Sequence, residues 1–472
     1  MHRALSIEGS GLVDAYVGGL HREQNCREQL NRARILQLGK VNAPLREQPA
    51  AFMGTPLRCL NPPLSVTTTV LSPLSAATRR SILLLSFATF ASMAAQRICD
   101  AMLPELSRVF SVSLAQAAQV VSVFAITYGA AQLFYGPLGD RLGKFRVVTF
   151  ATLGCSIGSI VAVFATSLDV LVLARLMMAL GAAALIPLSM AWVGDTVPSD
   201  QLQEMLTRTG LGTTLGIVGG QLVGGLLTDA LGWRWAFVFL TLLFAVAGLL
   251  LYADLRRQRA APAAPLKPSQ MVERPHFVKQ ALIIITGPWS RVILLIALFE
   301  GAAGFGVLAI WASHLHRTLG LSLSVSGAIV SLFGLGGVLY MAVGRHLIRR
   351  FGPQALVLFG GAMVGVCALV VGFTPHWLPA IPASLLAGFG FFMFHNTMQT
   401  NATQMAPSAR GTAVSLFASA LFLGQSVGVV VAASLMERIG TGAVVALGGA
   451  VMLAEGLFFA WALQRREAAR KQ

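Results

Sequence analysis

Two arginines and three carboxylic acids of this 472-residue chain lie deep inside long apolar stretches. Arg97 and Asp100 are three residues apart, so on a helix they share a face and can pair. Counting about 1.5 Å per residue back from Pro104 puts Arg97 roughly 10 Å inside the end of its stretch. Arg175, a short way beyond Asp169, falls at a comparable depth, so either arginine is positioned to meet Asp100. Glu300 has no cation close by on its own helix, and Glu455 lies deep in the last apolar stretch. An acid in hydrocarbon must be neutral, paired or in contact with water. The chemistry on offer is therefore reversible proton binding, assigned to Glu300 first and Asp100 second, with Arg97 and Arg175 as the cations that hold an ionised carboxylate. A static ion pair plus a protonated glutamic acid is the alternative that residue types alone leave open.

Gln96, Tyr128, Gln132, Gln221, Asn396, Gln399 and Gln425 interrupt the same stretches and are candidate cavity-lining groups; each can equally be a hydrogen-bonded packing residue. No nucleophile–base pair stands out, so an enzyme is not expected. His314 and His316 have the spacing of an interfacial cluster at most. Cys26, Cys59, Cys99, Cys155 and Cys367 are scattered without C-x-x-C or metal spacing, so no metal or other cofactor is expected.

The elements that position these groups follow from composition. Hydrophobic residues make up 55% of the chain and charged ones 11%, against about 25% charged in ordinary soluble domains. Apolar runs of about 20 residues, long enough for a roughly 30 Å hydrocarbon core, recur near 81–103, 115–137, 147–166, 169–193, 206–230, 234–253, 291–312, 323–343, 354–374, 378–403, 412–433 and 442–463. The reading is an all-α integral membrane protein of twelve transmembrane helices. Residues 1–78 are polar, without an apolar run long enough for a signal peptide, and are expected to be either a disordered cytoplasmic extension or an over-extended start, dispensable for insertion. Residues 79–254 form a six-helix bundle, 255–290 a basic central loop, 291–463 a second six-helix bundle and 464–472 a tail.

The net charge of +16 is not read as a nucleic-acid signal, because the cations are dispersed in short loops. Beyond residue 78, twenty-one Lys and Arg fall on the side of the termini and four (Arg108, Arg234, Arg317 and Arg438) on the other, which predicts both termini in the cytoplasm. The halves also echo one another at an offset of 209 residues: Leu138, Arg141, Gly143, Gly181, Pro198 and Ser199 fall on Leu347, Arg350, Gly352, Gly390, Pro407 and Ser408.

The loop after the second span carries Gly136, Leu138, Asp140, Arg141, Gly143 and Lys144. Its glycines allow tight turns, and Asp140 is suited to the positive N-terminal end of a neighbouring helix, expected near Gly411 when the loops close together. This segment resembles the G-x-L-a-D-R-x-G-R-K-type loop of the major facilitator superfamily. Arg175, Ala179 and Gly181 are similar to the superfamily's fourth-span motif, with alanine at the first glycine. Gly212, Gly216, Gly220 and Gly224 form one helical stripe, followed by Gly225, and are similar to the antiporter motif of twelve-span drug:proton exporters. Gln221 stands where that motif has proline, so its bend is not expected here. In the second half Arg349 occupies the position equivalent to Asp140.

The resemblance implies the major facilitator fold, with two six-helix repeats alternating access to a central site. It implies a monomeric multi-pass protein of the cell inner membrane, surrounded by lipid. Its partners would be a small-molecule substrate and protons as coupling ion, with Asp140 as a gating residue. The leading expectation is proton-driven export of a small drug-like or sugar-like solute. Proton symport of a sugar or carboxylate is the alternative, and a non-transporting membrane sensor is the alternative of another class.

Overall fold

The computed structural model describes residues 74–260 and 277–471. The expectations for residues 1–73 and for 261–276 of the central loop lie outside the described residues. No strand occurs among the described residues. The helices are α1 (Ala76–Arg97), α2 (Leu103–Val109), α3 (Leu114–Ala117), α4 (Gln119–Leu142), α5 (Lys144–Val163), α6 (Leu168–Thr196), α7 (Ser199–Leu231) and α8 (Trp233–Ala260). They continue as α9 (Phe277–Thr286), α10 (Pro288–Glu300), α11 (Val307–Leu319), α12 (Leu323–Phe373), α13 (Ala380–Gln404), α14 (Arg410–Ile439) and α15 (Thr441–Lys471). Residues Gly301–Gly306 join α10 to α11 as a π-helical turn.

Nine segments among the described residues are long and apolar enough to cross a bilayer. One of them, α12, is two spans, because Gly352 breaks it at φ 76° and ψ 169°. Helices α1 and α13, of 22 and 25 residues, miss the same measure of apolarity and charge yet pack within the bundle. Counting them brings the membrane-length segments to twelve.

Helix ends depart from the expected boundaries for local reasons. The first span was read as 81–103, but α1 stops at Arg97, residues 98–102 form turns, and Pro104 sits in the first turn of α2, where its missing N–H costs nothing. Helix α8 runs through Arg256, Arg257 and Arg259 into the predicted central loop, and α9 occupies part of that loop. Helix α15 runs through Arg465 and Arg466 into the predicted tail. These are strong helix formers, so the helices outlast the apolar sequence that defines the spans. Serines cap several starts: Ser75 accepts from Thr78 N, Ser167 from Val170 N and Ser322 from Val325 N.

The internal repeat has a backbone counterpart. Gly143 ends α4 at φ 91°, and its equivalent Gly352 makes the break in α12; only glycine adopts these conformations without strain. A Cβ on Gly181 would meet the Ala151 carbonyl, and one on Gly390 would meet that of Gly360, which is Ala151 moved by the same 209 residues.

The glycine stripe of α7 lies against α1. Cβ atoms on Gly212, Gly216, Gly220 and Gly224 would strike the carbonyl oxygens of Ser86, Phe90, Ala94 and Ile98. The same contact recurs at an offset of 208, where Gly424 and Gly428 of α14 meet the carbonyls of Leu298 and Ala302. Each half is thus built on a helix pair whose backbones touch, leaving no room for side chains between them. Gly225 has a different neighbour, packing against Leu323 and Ser324 at the start of α12 in the opposite half.

Candidate functional site

The site lies along the seam between the halves, and the end of α1 organises its first part. Arg97 Nη1 lies 3.3 Å from Asp100 Oδ2, both residues being fully buried. The same oxygen accepts from Gln221 Nε2 at 3.1 Å. Gln221, at the position of the exporter proline, therefore holds the carboxylate of Asp100. Across the seam, Arg97 Nη1 donates to the carbonyl of Phe305 at 3.4 Å, and its guanidinium lies 4.3 Å from the centre of that ring.

Arg175 does not share this task. It donates from Nη1 to Ala95 O at 2.6 Å, from Nη2 to Gln96 O at 3.5 Å and from Nε to Val120 O at 3.0 Å, with its guanidinium 4.1 Å from the Phe124 ring centre. Of the two arginines expected near Asp100, Arg97 makes the direct contact, and Arg175 stays within electrostatic range while its hydrogen bonds go to backbone carbonyls. A helix that stops at Arg97 leaves its last carbonyls without intrahelical donors, and Arg175 supplies donors to two of them.

The second part centres on Glu300, the last residue of α10 before the π-helical turn. Its Oε1 lies 2.7 Å from Nδ1 of His395 on α13, a partner from another helix where its own offers no cation close by. Glu300 is fully buried, whereas the side chain of His395 is 15% exposed. Four phenylalanine rings surround the imidazole: Phe391, nearly parallel at 5.7 Å between centres, Phe417 at 5.8 Å, and Phe305 and Phe392 at 6.4 Å. Glu455 of α15 is buried within electrostatic range of Glu300. Among the described residues, no group of three or more His, Cys, Asp or Glu is placed to hold a metal.

His395 was not singled out from sequence. Its signal is an ionisable ring within Phe391-Phe392-Met393-Phe394-His395-Asn396, an apolar run long enough to be membrane-embedded.

Several expected cavity residues instead fasten the halves together. Gln96 Nε2 donates to Gln425 Oε1 at 3.1 Å, both residues being buried. Tyr128 stacks on Phe124 and lies 4.6 Å from the Phe422 ring centre, with its hydroxyl 3.5 Å from Ser92 Oγ. Gln132 is buried, Asn396 half-buried and Gln399 exposed. Gln96, Gln221 and Gln425 are buried amides, each hydrogen-bonded to another side chain, as the packing alternative describes.

Other contacts join the halves near the same end of the bundle. Ser122 Oγ lies 2.8 Å from Ser426 Oγ, Ser419 donates to Gly129 O at 2.7 Å, and the backbone N–H of Ser324 donates to Asp229 at 2.5 Å. At the opposite end, no atoms lie within ordinary contact of a Cβ built on Gly136, Gly194 or Gly411. There Asp140 lies 3.4 Å from Lys144, which also pairs with Asp195. Leu138 and Arg141 of the same loop are exposed.

Two repeated helical bundles meet along a buried polar seam, the architecture of a two-repeat membrane transporter. The family model described as Major Facilitator Superfamily matches residues 85–428, and the chain belongs to that superfamily. It is 25% identical over 336 residues to the uncharacterized MFS-type transporter YceJ of Bacillus subtilis (strain 168), covering 71% of this chain and 84% of that one. It is 26% identical over 391 residues to the 4-hydroxybenzoate transporter PcaK of Pseudomonas aeruginosa, covering 75% and 87%. A multidrug resistance protein B homolog of Mycobacterium tuberculosis is 27% identical over 306 residues, covering 54% and 57%. Among solved structures, a bacterial homolog of the human lysosomal transporter Spinster superposes with TM-score 0.64 at 18% identity, covering 83% of this chain and 96% of that one. A variant of the nucleoside transporter NupG superposes with TM-score 0.68 at 13% identity, covering 81% and 99%.

Proposed function

We propose that this protein is a proton-coupled secondary transporter that moves a small organic solute by alternating access, with Glu300 and His395 as the proton-exchanging pair. The observation that carries this reading is the 2.7 Å contact between a fully buried carboxyl and a partly exposed imidazole. Such a pair can take a proton from the accessible side and hold it in the interior. The excess of cations on the side of the termini supports placing both termini in the cytoplasm, in the cytoplasmic membrane, with the joined end of the bundle outside. The loop of Asp140 is then the cytoplasmic gate, closing when Asp140 moves from its contact with Lys144 toward the start of α14.

Export is supported by the resemblance of the α7 stripe to an exporter motif and by the multidrug resistance homolog among the relatives. A second reading, proton symport of an organic acid into the cell, is favoured by Gln221 in place of the exporter proline and by the alignment with a 4-hydroxybenzoate transporter over 75% of this chain. The test uses reconstituted vesicles and a solute found by screening for collapse of a pH gradient. Glu300→Gln should lose gradient-driven accumulation and retain gradient-independent exchange. An unchanged gradient response would remove Glu300 as the proton carrier.

A further inference from the structure

We propose that His395 is the substrate-contacting half of the proton pair and that the site it faces takes up an aromatic monocarboxylate together with one proton. This rests on Glu300 and His395 being the coupling pair, and of the two directions it belongs to symport.

Four-residue steps along α13 trace one helical face. Ala387 and Phe391 are buried on it, His395 is partly exposed, and Gln399 is exposed. Exposure along this face therefore rises from the centre of the bundle toward the end that carries the loop of Asp140. His395 lies where the exposure begins, with Nδ1 engaged by Glu300 and Nε2 as its other nitrogen. Phe305, Phe392 and Phe417 give the surroundings an apolar, aromatic character.

The proton count sets the ligand. With one proton between them, the ionised carboxylate takes the Nδ1 hydrogen, the pair carries one negative charge, and Nε2 presents a lone pair. That nitrogen repels a carboxylate. With a second proton the pair is neutral and Nε2 carries a hydrogen, however the other proton is shared between Nδ1 and Glu300. Nε2 is then a donor for a carboxylate oxygen. One proton inverts the polarity of the accessible nitrogen, so the anion and the proton arrive together.

The charged groups around the ring are Glu300 from α10, Glu455 from α15 and Arg97 from α1, the last across the Phe305 ring. From α14 the neighbour is Phe417, and from α12 it is Phe333, behind Phe391. Arg97 Nε and Nη2 are buried without hydrogen-bond partners, and this edge of a guanidinium is the planar fork that matches a carboxylate. Arg141, Arg345, Arg349, Arg350 and Arg410 are exposed at the end toward which exposure on the α13 face rises, a field that draws anions in.

The test is titration of the purified full-length protein, in detergent and weak buffer, with benzoate, benzylammonium and benzyl alcohol, following binding heat and proton uptake. Benzoate should bind with uptake of about one proton, and its affinity should fall as pH rises, by up to about tenfold per pH unit, the slope that uptake of one proton sets. The other two probes should bind at least about tenfold more weakly, one charge-assisted hydrogen bond being at stake. His395→Gln should remove both the proton uptake and the pH dependence and weaken benzoate about 10- to 100-fold. Should that variant fail to fold, the wild-type titrations decide alone. Benzylammonium binding with proton release, benzoate binding without proton uptake, or no binding of benzoate would overturn the assignment, as would an unchanged His395→Gln. Proton-linked benzoate binding alongside an unchanged gradient response in Glu300→Gln would instead sink the coupling role of Glu300 and leave the anion site standing.

Discussion

Replacing Gly220 by alanine tests whether the contact between α1 and α7 sets the geometry of the charged seam. A Cβ there would stand 2.6 Å from the Ala94 carbonyl oxygen, 2.9 Å from the Ala94 Cα and 3.0 Å from the Arg97 Cβ. Ordinary contact begins at 3.4 Å, so the worst of these is short by about 0.8 Å, and two of the obstructing atoms are backbone. The helices must part by about that distance, at the cost of about 1–3 kcal/mol typical of overpacking. The displacement also falls on Arg97, whose 3.4 Å bond to the Phe305 carbonyl is already near the limit of useful hydrogen bonding. The control is Gly194→Ala in α6, where no atom lies within 4 Å of the added methyl, and alanine should stabilise the helix by up to about 1 kcal/mol. Melting of the two variants in detergent should therefore shift in opposite directions. Transport should fall in Gly220→Ala and persist in Gly194→Ala. Equal melting temperatures would refute the claim that the backbones touch along this stripe.

Asp100→Asn should destabilise the protein by about 3–5 kcal/mol, because it leaves the buried guanidinium of Arg97 without its carboxylate; melting should recover in part when Arg97→Gln is added, and no recovery would mean that the two are not coupled. In a background without native cysteines, Ser122→Cys with Ser426→Cys should cross-link readily across the seam, since the hydroxyls are 2.8 Å apart, and oxidation should stop transport until a reductant is added. Full transport by the cross-linked protein would show that this end need not open.

How far the site could be read from sequence depended on how local each interaction is. Arg97 and Asp100 were legible as a pair because they are three residues apart, and the turn after α1, with Asp100 N bonded to Arg97 O, keeps the neighbourhood that a helix would give. The role of Arg175 was not, since it depends on α1 ending at Arg97 and exposing two carbonyls to a side chain some 80 positions away. Glu300 was legible as a buried acid, but its partner is 95 residues distant, and only folding brings α10 and α13 together. The glycine stripe of α7 was visible by its spacing, whereas its partner helix was not. Its counterpart in Gly424 and Gly428 was hidden because it lies at an offset of 208, one residue short of the 209 that aligns the loops. The buried glutamines were ambiguous for a different reason: an amide lining a cavity and an amide pinning two helices have the same sequence signature.

The π-helical turn at Gly301–Gly306 has a consequence for chain length. A turn of this kind holds one residue more than the α-helix it interrupts. Removing a single residue from it would let α10 and α11 fuse into one regular helix. Every side chain of α11 would then turn by about 100° about the axis and shift by about 1.5 Å along it. Trp311 and His314, both buried, would swing away from their present neighbours, including the Thr441 hydroxyl and the Val371 carbonyl that now hold the histidine ring. The extra residue works as a phase-setter for this helix: it lets Glu300 meet His395 on one side of the turn while the far half keeps its own alignment against α12 and α15.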